Sequence, residues 1–251
     1  MLLSGSVPGV GIGAGPVLLS TEKSMPLSAG DRELSRLNRI LREWLPPARL
    51  CRQSSPLLPE LRLWLLADTL GDSPLDEATI NRLMDAPPYW SFCWASGQVL
   101  ARWLLENPAT VRDRTLVDLG SGCGVVALAA AQAGAARVIA CDLDEHALAA
   151  VRVNARENGL VVETVQGLEE CPAGPDLFTA ADILYDRDNL ALLSQLRQRG
   201  EVLLADSRIP ELDPPGYLLR DTRRATTWPD LDEAGEFGNV RLFHACGGST
   251  G

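Results

Sequence analysis

Residues 115–134 read TLVDLGSGCGVVALAAAQAG, and this stretch decides the fold. TLVDL is an uninterrupted apolar run apart from Asp118, as expected of a strand covered on both faces. It enters a turn in which Gly120, Gly122 and Gly124 alternate with Ser121 and Cys123, and VVALAAAQAGA follows as a small-residue helix ending at Gly134. A chain turning this sharply needs positive φ, and a ligand lying close to it leaves no room for a Cβ; glycine meets both demands. Eighteen residues past Gly124, the next strand, RVIACD, ends in Asp142-Leu143-Asp144. A carboxylate there is placed to accept hydrogen bonds from the two hydroxyls of a ribose. Strand, glycine turn, helix, strand and acid in this register make a nucleoside-binding half-site.

Working outward, the alternation continues. EHALAAVRVNARENG reads as a helix ended by Gly159, VVETVQ and DLFTAAD as strands, NLALLSQLRQRG as a helix and EVLLAD as a strand. Strands and helices alternating through short connections predict an α/β, doubly wound, mostly parallel sheet. YLLRDTRRATTW and NVRLFHA have no helix between them and are expected to pair as an antiparallel C-terminal hairpin on the sheet edge.

Upstream, Leu34, Leu37, Ile40, Leu41 and Trp44 recur at helical spacing until Pro46-Pro47. A second helix is predicted through LRLWLLADTL and a third through LDEATINRLM, with Ser73 as its cap and Pro74 at its first position. After PPYW, ASGQVLARWLLEN reads as an amphipathic helix. The expected organisation is a Gly/Ser/Pro-rich flexible leader at 1–30, an N-terminal helical cap at 31–86, the main domain at 87–246 and a flexible tail at 247–251. GVGIGAG, from Gly9 to Gly15, has neither a strand before it nor a helix after it, so it is not read as a phosphate loop.

Composition excludes several classes. The 251 residues hold 33 acids against 23 bases, a net charge of −10, which disfavours a nucleic-acid backbone as partner. No apolar run approaches the ~18 residues of a membrane span, and the start lacks the basic region of a secretory signal. The six cysteines form no C-x-x-C pair and only His146 and His244 accompany them, so no metal site is expected. Nothing calls for an oxidising compartment, and a cytoplasmic location is expected. All but one of the bases are arginine; the exception is Lys23.

The glycine turn reads D-L-G-S-G-C-G, where a dinucleotide site usually has G-x-G-x-x-G. An acid at the strand end repels phosphate and suits the ammonium and sulfonium of S-adenosylmethionine. Here the sequence resembles the class I S-adenosylmethionine-dependent methyltransferases. Two further stretches sharpen the resemblance: PPYWSFCWASGQVLARWLLENP (Pro87 to Pro108) and AADILYDRDNL (Ala180 to Leu190), which contains the D-x-x-Y motif Asp182 to Tyr185. From about Pro56 to Trp228 the chain resembles the seven-strand protein lysine methyltransferases, in particular the electron transfer flavoprotein beta-subunit lysine methyltransferase family.

The resemblance implies a seven-stranded sheet whose last strand is antiparallel. It implies that Asp118, Gly120, Ser121, Gly122 and Gly124 surround the methionine part of the cofactor, that Asp142 holds the ribose hydroxyls and that Leu143 lies against adenine. Trp94 with the Gly97-Gln98 pair would close the site, and Asp182 and Tyr185 would stand beside the transferable methyl. A free lysine amine, with pKa about 10.4, must lose its proton before attack. Asp182 can hold the incoming cation, while Trp90, Trp94 and Tyr185 desolvate it. The implied acceptor is a lysine of a folded protein, such as the electron transfer flavoprotein beta subunit or a ribosomal protein, necessarily another protein if folded-domain lysines are required. A small amine acceptor of the nicotinamide type, or a non-catalytic cofactor-binding module, are the alternatives. A monomer without membrane or nucleic-acid partners is favoured.

The remaining residues have plainer expected roles. Trp64 and Trp103 are expected in the core, Cys123 as a filler, His146 at a solvated helix position, and Asp186 and Asp188 as caps of the helix near Asn189. The acids between Asp206 and Glu236 are expected to form a solvated rim or to attract a lysine-bearing partner.

Overall fold

A computed structural model describes residues 29–46, 48–67, 76–85, 87–185, 189–231 and 235–248. The elements in chain order are α1 (Ala29–Trp44), β1 (Leu50–Gln53), β2 (Leu63–Leu66), α2 (Glu77–Asp85), α3 (Ala95–Glu106), β3 (Thr115–Leu119), α4 (Val125–Gln132), β4 (Arg137–Cys141), α5 (Glu145–Glu157), β5 (Glu163–Val165), β6 (Leu177–Ala181), α6 (Leu190–Arg199), β7 (Glu201–Asp206), β8 (Leu218–Arg224) and β9 (Asn239–Ala245). The seven-stranded sheet has the order β5-β4-β3-β6-β7-β9-β8. β3 to β7 are parallel, and β9 runs antiparallel between β7 and the edge strand β8. The predicted fold class is the observed one, including the reversed C-terminal hairpin.

Two apolar layers cover the sheet. On one face α3 and α4 bury Val99, Leu100, Leu104, Val126 and Leu128 against Leu116, Val138 and Leu203. On the other, α6 sets Leu193 and Leu196 beside Phe178 and Val202. The sheet order reverses between β3 and β6, so the carboxyl ends of β4, β3, β6 and β7 open onto one crevice, the usual ligand position in such sheets.

The N-terminal segment differs from expectation in its middle. LRLWLL is not a helix: β2 pairs antiparallel with β1, Leu50 opposite Leu66. Leu61, Leu63 and Leu65 are buried while Arg62 is exposed and Trp64 half-buried, a period of two that three- and four-residue spacing arguments overlooked. Beyond Ala67 the segment lies outside the described residues, as do Ser73 and Pro74. α2 is capped instead by Asp76, whose Oδ1 accepts Thr79 N–H at 2.7 Å. α1 begins at Ala29, so Ala29 and Gly30 belong to it rather than to the leader; residues 1–28 lie outside the described part.

This segment docks on α5. Leu37 and Leu41 pack with Ala149, Ala150 and Val153, and Glu33 is ion-paired with Arg152 (2.6 Å) and Arg156. Asn154 ties the hairpin to the glycine turn. Its Oδ1 accepts Trp64 N–H at 2.7 Å and its Nδ2 donates to Cys123 O at 2.9 Å. Among the described residues no helix is long and apolar enough to cross a membrane.

Candidate functional site

A cavity of about 530 Å³ lies at the carboxyl ends of the parallel strands, a size typical of small-molecule and cofactor sites. Its wall follows the sheet order. Asp142, Leu143 and Asp144 come from the end of β4, Gly120 and Gly122 from β3, Asp182 and Ile183 from β6, and Arg208 from β7; Tyr89, Trp90 and Trp94 close it from the N-terminal side.

The glycine turn is shaped for a close approach. Gly120 has φ 63° and a Cβ there would meet Ile183 Cγ2 at 2.9 Å, so this position fixes the turn against β6. Gly122 has φ 52°, and a Cβ there would find nothing nearer than Gly120 O at 4.0 Å. Its missing side chain is therefore space left to the cavity. Gly122 N–H donates to Asp142 Oδ2 at 2.9 Å, and Asp144 N–H donates to Asp142 Oδ1 at 3.0 Å. These bonds lower the carboxyl pKa of Asp142, but burial outweighs them and pushes it up. Each oxygen keeps a lone pair for a further donor. Leu143 beside it is 82% exposed, an apolar side chain at the cavity lip with an open face.

Asp118 stands beneath the turn and does not line the cavity. Thr179 Oγ1 donates to its Oδ1 at 2.8 Å, whereas its buried Oδ2 has no hydrogen-bond partner among the described residues. Burial, only partly opposed by the hydrogen bond from Thr179, pushes its carboxyl up to about 7.

Asp182 is the most heavily held group of the site. It sits in the left-handed region at φ 52°, a strained backbone for a non-glycine residue. Its Oδ1 accepts from Ser96 Oγ at 2.6 Å, Ser207 Oγ at 2.9 Å and Ser207 N–H at 3.2 Å. Its Oδ2 accepts only the longer bond from Ser96 N–H at 3.3 Å among the described residues. Arg208 Nε lies 3.9 Å from Oδ1, and its guanidinium carbon is 5.2 Å from the Trp94 ring centre. Trp94 is itself fixed, Nε1–H donating to Tyr89 O at 2.9 Å and its ring meeting Tyr89 edge-on at 5.6 Å.

Of the residues expected at the site, Trp94, Gly120, Gly122, Asp142, Leu143 and Asp182 come together on the cavity wall, with Trp90. Gly97, Ser121 and Gly124 stand behind it: a Cβ on Gly97 would meet Val125 Cγ1 at 3.1 Å, and one on Gly124 would meet Val151 Cγ2 at 3.0 Å. Gln98 Nε2 donates to Cys93 O and Thr226 O, which fastens the C-terminal region under α3 instead. Tyr185 ends the short turn Ile183–Tyr185, but its side chain lies outside the described residues, as do Asp186 and Asp188. His146 is half-buried rather than fully solvated: its ring stacks on Trp90 at 6.4 Å and meets Trp44 edge-on at 6.0 Å. Asp206 belongs to no rim, because it is fully buried and its Oδ1 accepts Ile209 N–H at 2.9 Å and Arg208 N–H at 3.2 Å.

Ser96, Ser207 and Arg208 were absent from the sequence expectations. The available signal was positional: Ser207 follows a parallel strand directly, as Asp142 and Asp182 do, and such positions face the crevice.

Sheet order, reversed hairpin and crevice define the class I methyltransferase fold. A crystal structure from Pyrococcus horikoshii assigned to the RNA methyltransferases shares it with a TM-score of 0.50 at 16% identity, covering 61% of this chain and 82% of that one. Residues 101–184 match the family model described as ribosomal protein L11 methyltransferase (PrmA). The chain is similar to the electron transfer flavoprotein beta subunit lysine methyltransferase of Mus musculus, 43% identical over 104 residues, 40% of this chain and 41% of that protein. It is similar to the Xenopus laevis protein of the same name, 37% identical over 151 residues, 58% of this chain and 59% of that one. The chain thus spans about half the length of the curated relatives it matches.

Proposed function

We propose that this chain is an S-adenosylmethionine-dependent N-methyltransferase that modifies a lysine of another protein. The observation that carries the reading is Asp182: a buried carboxylate, rigidly held by two serines, on the wall of a cavity floored by a glycine turn. The residues present fit the cofactor. The space at Gly122 suits a close methionine part; the open lone pairs of Asp142 suit a ribose, and exposed Leu143 suits an adenine face.

When bound, the cofactor supplies an electrophilic methyl on a sulfonium. The chain's own task is positioning, which dominates the barrier of an in-line displacement. Asp182 holds and orients the acceptor ammonium through Oδ2 while Ser96 and Ser207 keep Oδ1 fixed. Trp94 offers a π-face that first holds the same cation, while the loss of its water favours the neutral, nucleophilic amine, whose proton passes to bulk water before attack. Oδ1 already accepts three hydrogen bonds, which favours an orienting role for Asp182 over that of a strong base.

The names of the relatives support a protein lysine as acceptor, with the electron transfer flavoprotein beta subunit or a ribosomal protein as candidates. The six free cysteines suit a reducing compartment such as the cytoplasm. Incubating the full chain with methyl-labelled S-adenosylmethionine and cell lysate tests the reading. Label in the protein fraction supports it, whereas label confined to small amines would move the acceptor to the nicotinamide-type alternative.

A further inference from the structure

The strand order lays out the crevice as a sequence of tasks: Asp142 after β4, the glycine turn after β3, Asp182 after β6 and Arg208 after β7. With neighbouring strands about 4.8 Å apart, Arg208 springs from a strand about 15 Å from that of Asp142 and on the far side of Asp182. It therefore belongs to the acceptor's end of the cavity and not to the ribose end. There its guanidinium lies over Trp94 at 5.2 Å and beside Asp182 Oδ1 at 3.9 Å. A carboxylate and an aromatic face together form a receptor for an organic cation. In this structure the chain lays its own arginine against the aromatic face of that receptor, on the Oδ1 side of the carboxylate. Ser207 on one side and the Asp206 bond to Arg208 N–H on the other fix the segment that carries it.

We infer that Arg208 is a built-in occupant of the aromatic face of the acceptor-amine subsite, from which an incoming alkylammonium bound at Asp182 Oδ2 must displace it to reach Trp94. The inference rests on the methyltransferase reading above for the identity of the acceptor, but not for the existence of the subsite. Arg208 acts as a specificity residue. Its presence lowers the apparent affinity for any acceptor to the fraction of time that the aromatic face is free, so a lone lysine binds poorly.

The test is calorimetric titration of Nα-acetyl-lysine methylamide into the full chain, in wild type and in Arg208→Gln, Arg208→Lys and Asp182→Asn. The expected result is tighter binding by Arg208→Gln, by about threefold or more. Arg208→Lys should stay near wild type, because its ammonium can take the same place, and Asp182→Asn should bind least. In the wild type, the nitrogen-15 signal of Arg208 Nε–H should move toward its solvent position as the probe is added, a readout that needs no variant. Arg208→Gln binding no tighter than wild type, with or without detectable binding in either, overturns the inference. So does an unmoved Arg208 signal. S-adenosylhomocysteine is titrated separately. If it fails to bind any form, the methyltransferase reading fails while the probe result still decides the subsite. If Arg208→Gln weakens it about tenfold, Arg208 serves the cofactor and the inference is wrong.

Discussion

Ser96 Oγ donates a 2.6 Å hydrogen bond to Asp182 Oδ1, joining the first turn of α3 to the end of β6 across 86 positions of sequence. This bond couples the aromatic wall to the acid. Ser96 lies two residues from Trp94, so the distance between the π-face and the carboxylate is set by one rigid helix start. Ser207 repeats the restraint from β7.

Removing that restraint should separate catalysis from binding. Ser96→Ala leaves a buried carboxylate short of one strong donor, at a cost of about 1–3 kcal/mol in stability. Turnover should fall by more than about tenfold while the dissociation constant for S-adenosylhomocysteine changes little. Urea unfolding, calorimetry and methyl-transfer assays read the three quantities. Equal losses in cofactor binding and turnover would show that Ser96 merely supports the fold.

Asp142→Ala should weaken S-adenosylhomocysteine binding by about tenfold or more, since hydrogen bonds to a carboxylate contribute roughly 1.5–3 kcal/mol. It also removes the acceptor for Gly122 N–H. An unchanged affinity by calorimetry would refute the assignment of Asp142 to the ribose.

The two turn glycines should behave differently. Gly120→Ala drives a methyl into Ile183, 2.9 Å away, so it should lower the melting temperature and disturb the Asp182 turn. Gly122→Ala meets no such wall and should cost only the ~1–2 kcal/mol of a left-handed alanine. Its methyl enters the cavity, so cofactor binding should be lost with the fold retained. Thermal melts and calorimetry on both variants check the contrast.

Asp118 gives a pH signature. Its native carboxyl titrates at about 7, against about 3.9 for an unfolded aspartate. Between those values the native state binds more protons than the unfolded state, so stability falls as pH rises from about 4 to about 7 and is level above. Asp118→Asn removes this dependence while keeping an oxygen for Thr179. Its stability relative to wild type should therefore rise between pH 4.5 and pH 8, on the order of 1–4 kcal/mol. Buried Asp206 also titrates high, at about 6, but is common to both proteins and cancels in the difference. A difference that does not change with pH in urea unfolding would contradict the raised value.

The central fold was legible because its signals are local. A buried strand, a glycine turn and a small-residue helix sit within 20 consecutive residues, and Asp142 follows at the next strand end. The β1–β2 hairpin was harder to read, because Leu61, Leu63, Leu65 and Leu66 fit an apolar helix as readily as an alternating strand over so short a run. Partnership across the fold was not legible at all. Nothing in the spacing of Ser96, Asp182 and Ser207 announces that they meet, and Asn154 looks like an ordinary helix position until its amide is seen bridging β2 and Cys123. An acid such as Asp206 reads as surface because acids usually are; the backbone N–H groups of Arg208 and Ile209 are what draw it inside.

The most direct test of the central claim is to locate the transferred methyl. The full chain and its Asp182→Asn variant are incubated with S-adenosylmethionine and the electron transfer flavoprotein beta subunit or a ribosomal protein fraction, and the products are sequenced by tandem mass spectrometry. The account predicts methylation on lysine Nζ of a protein, present with the wild type and lost with Asp182→Asn although that variant still binds S-adenosylhomocysteine. Methyl groups found on nucleic acid, or on lysine to the same extent with both forms, would contradict it.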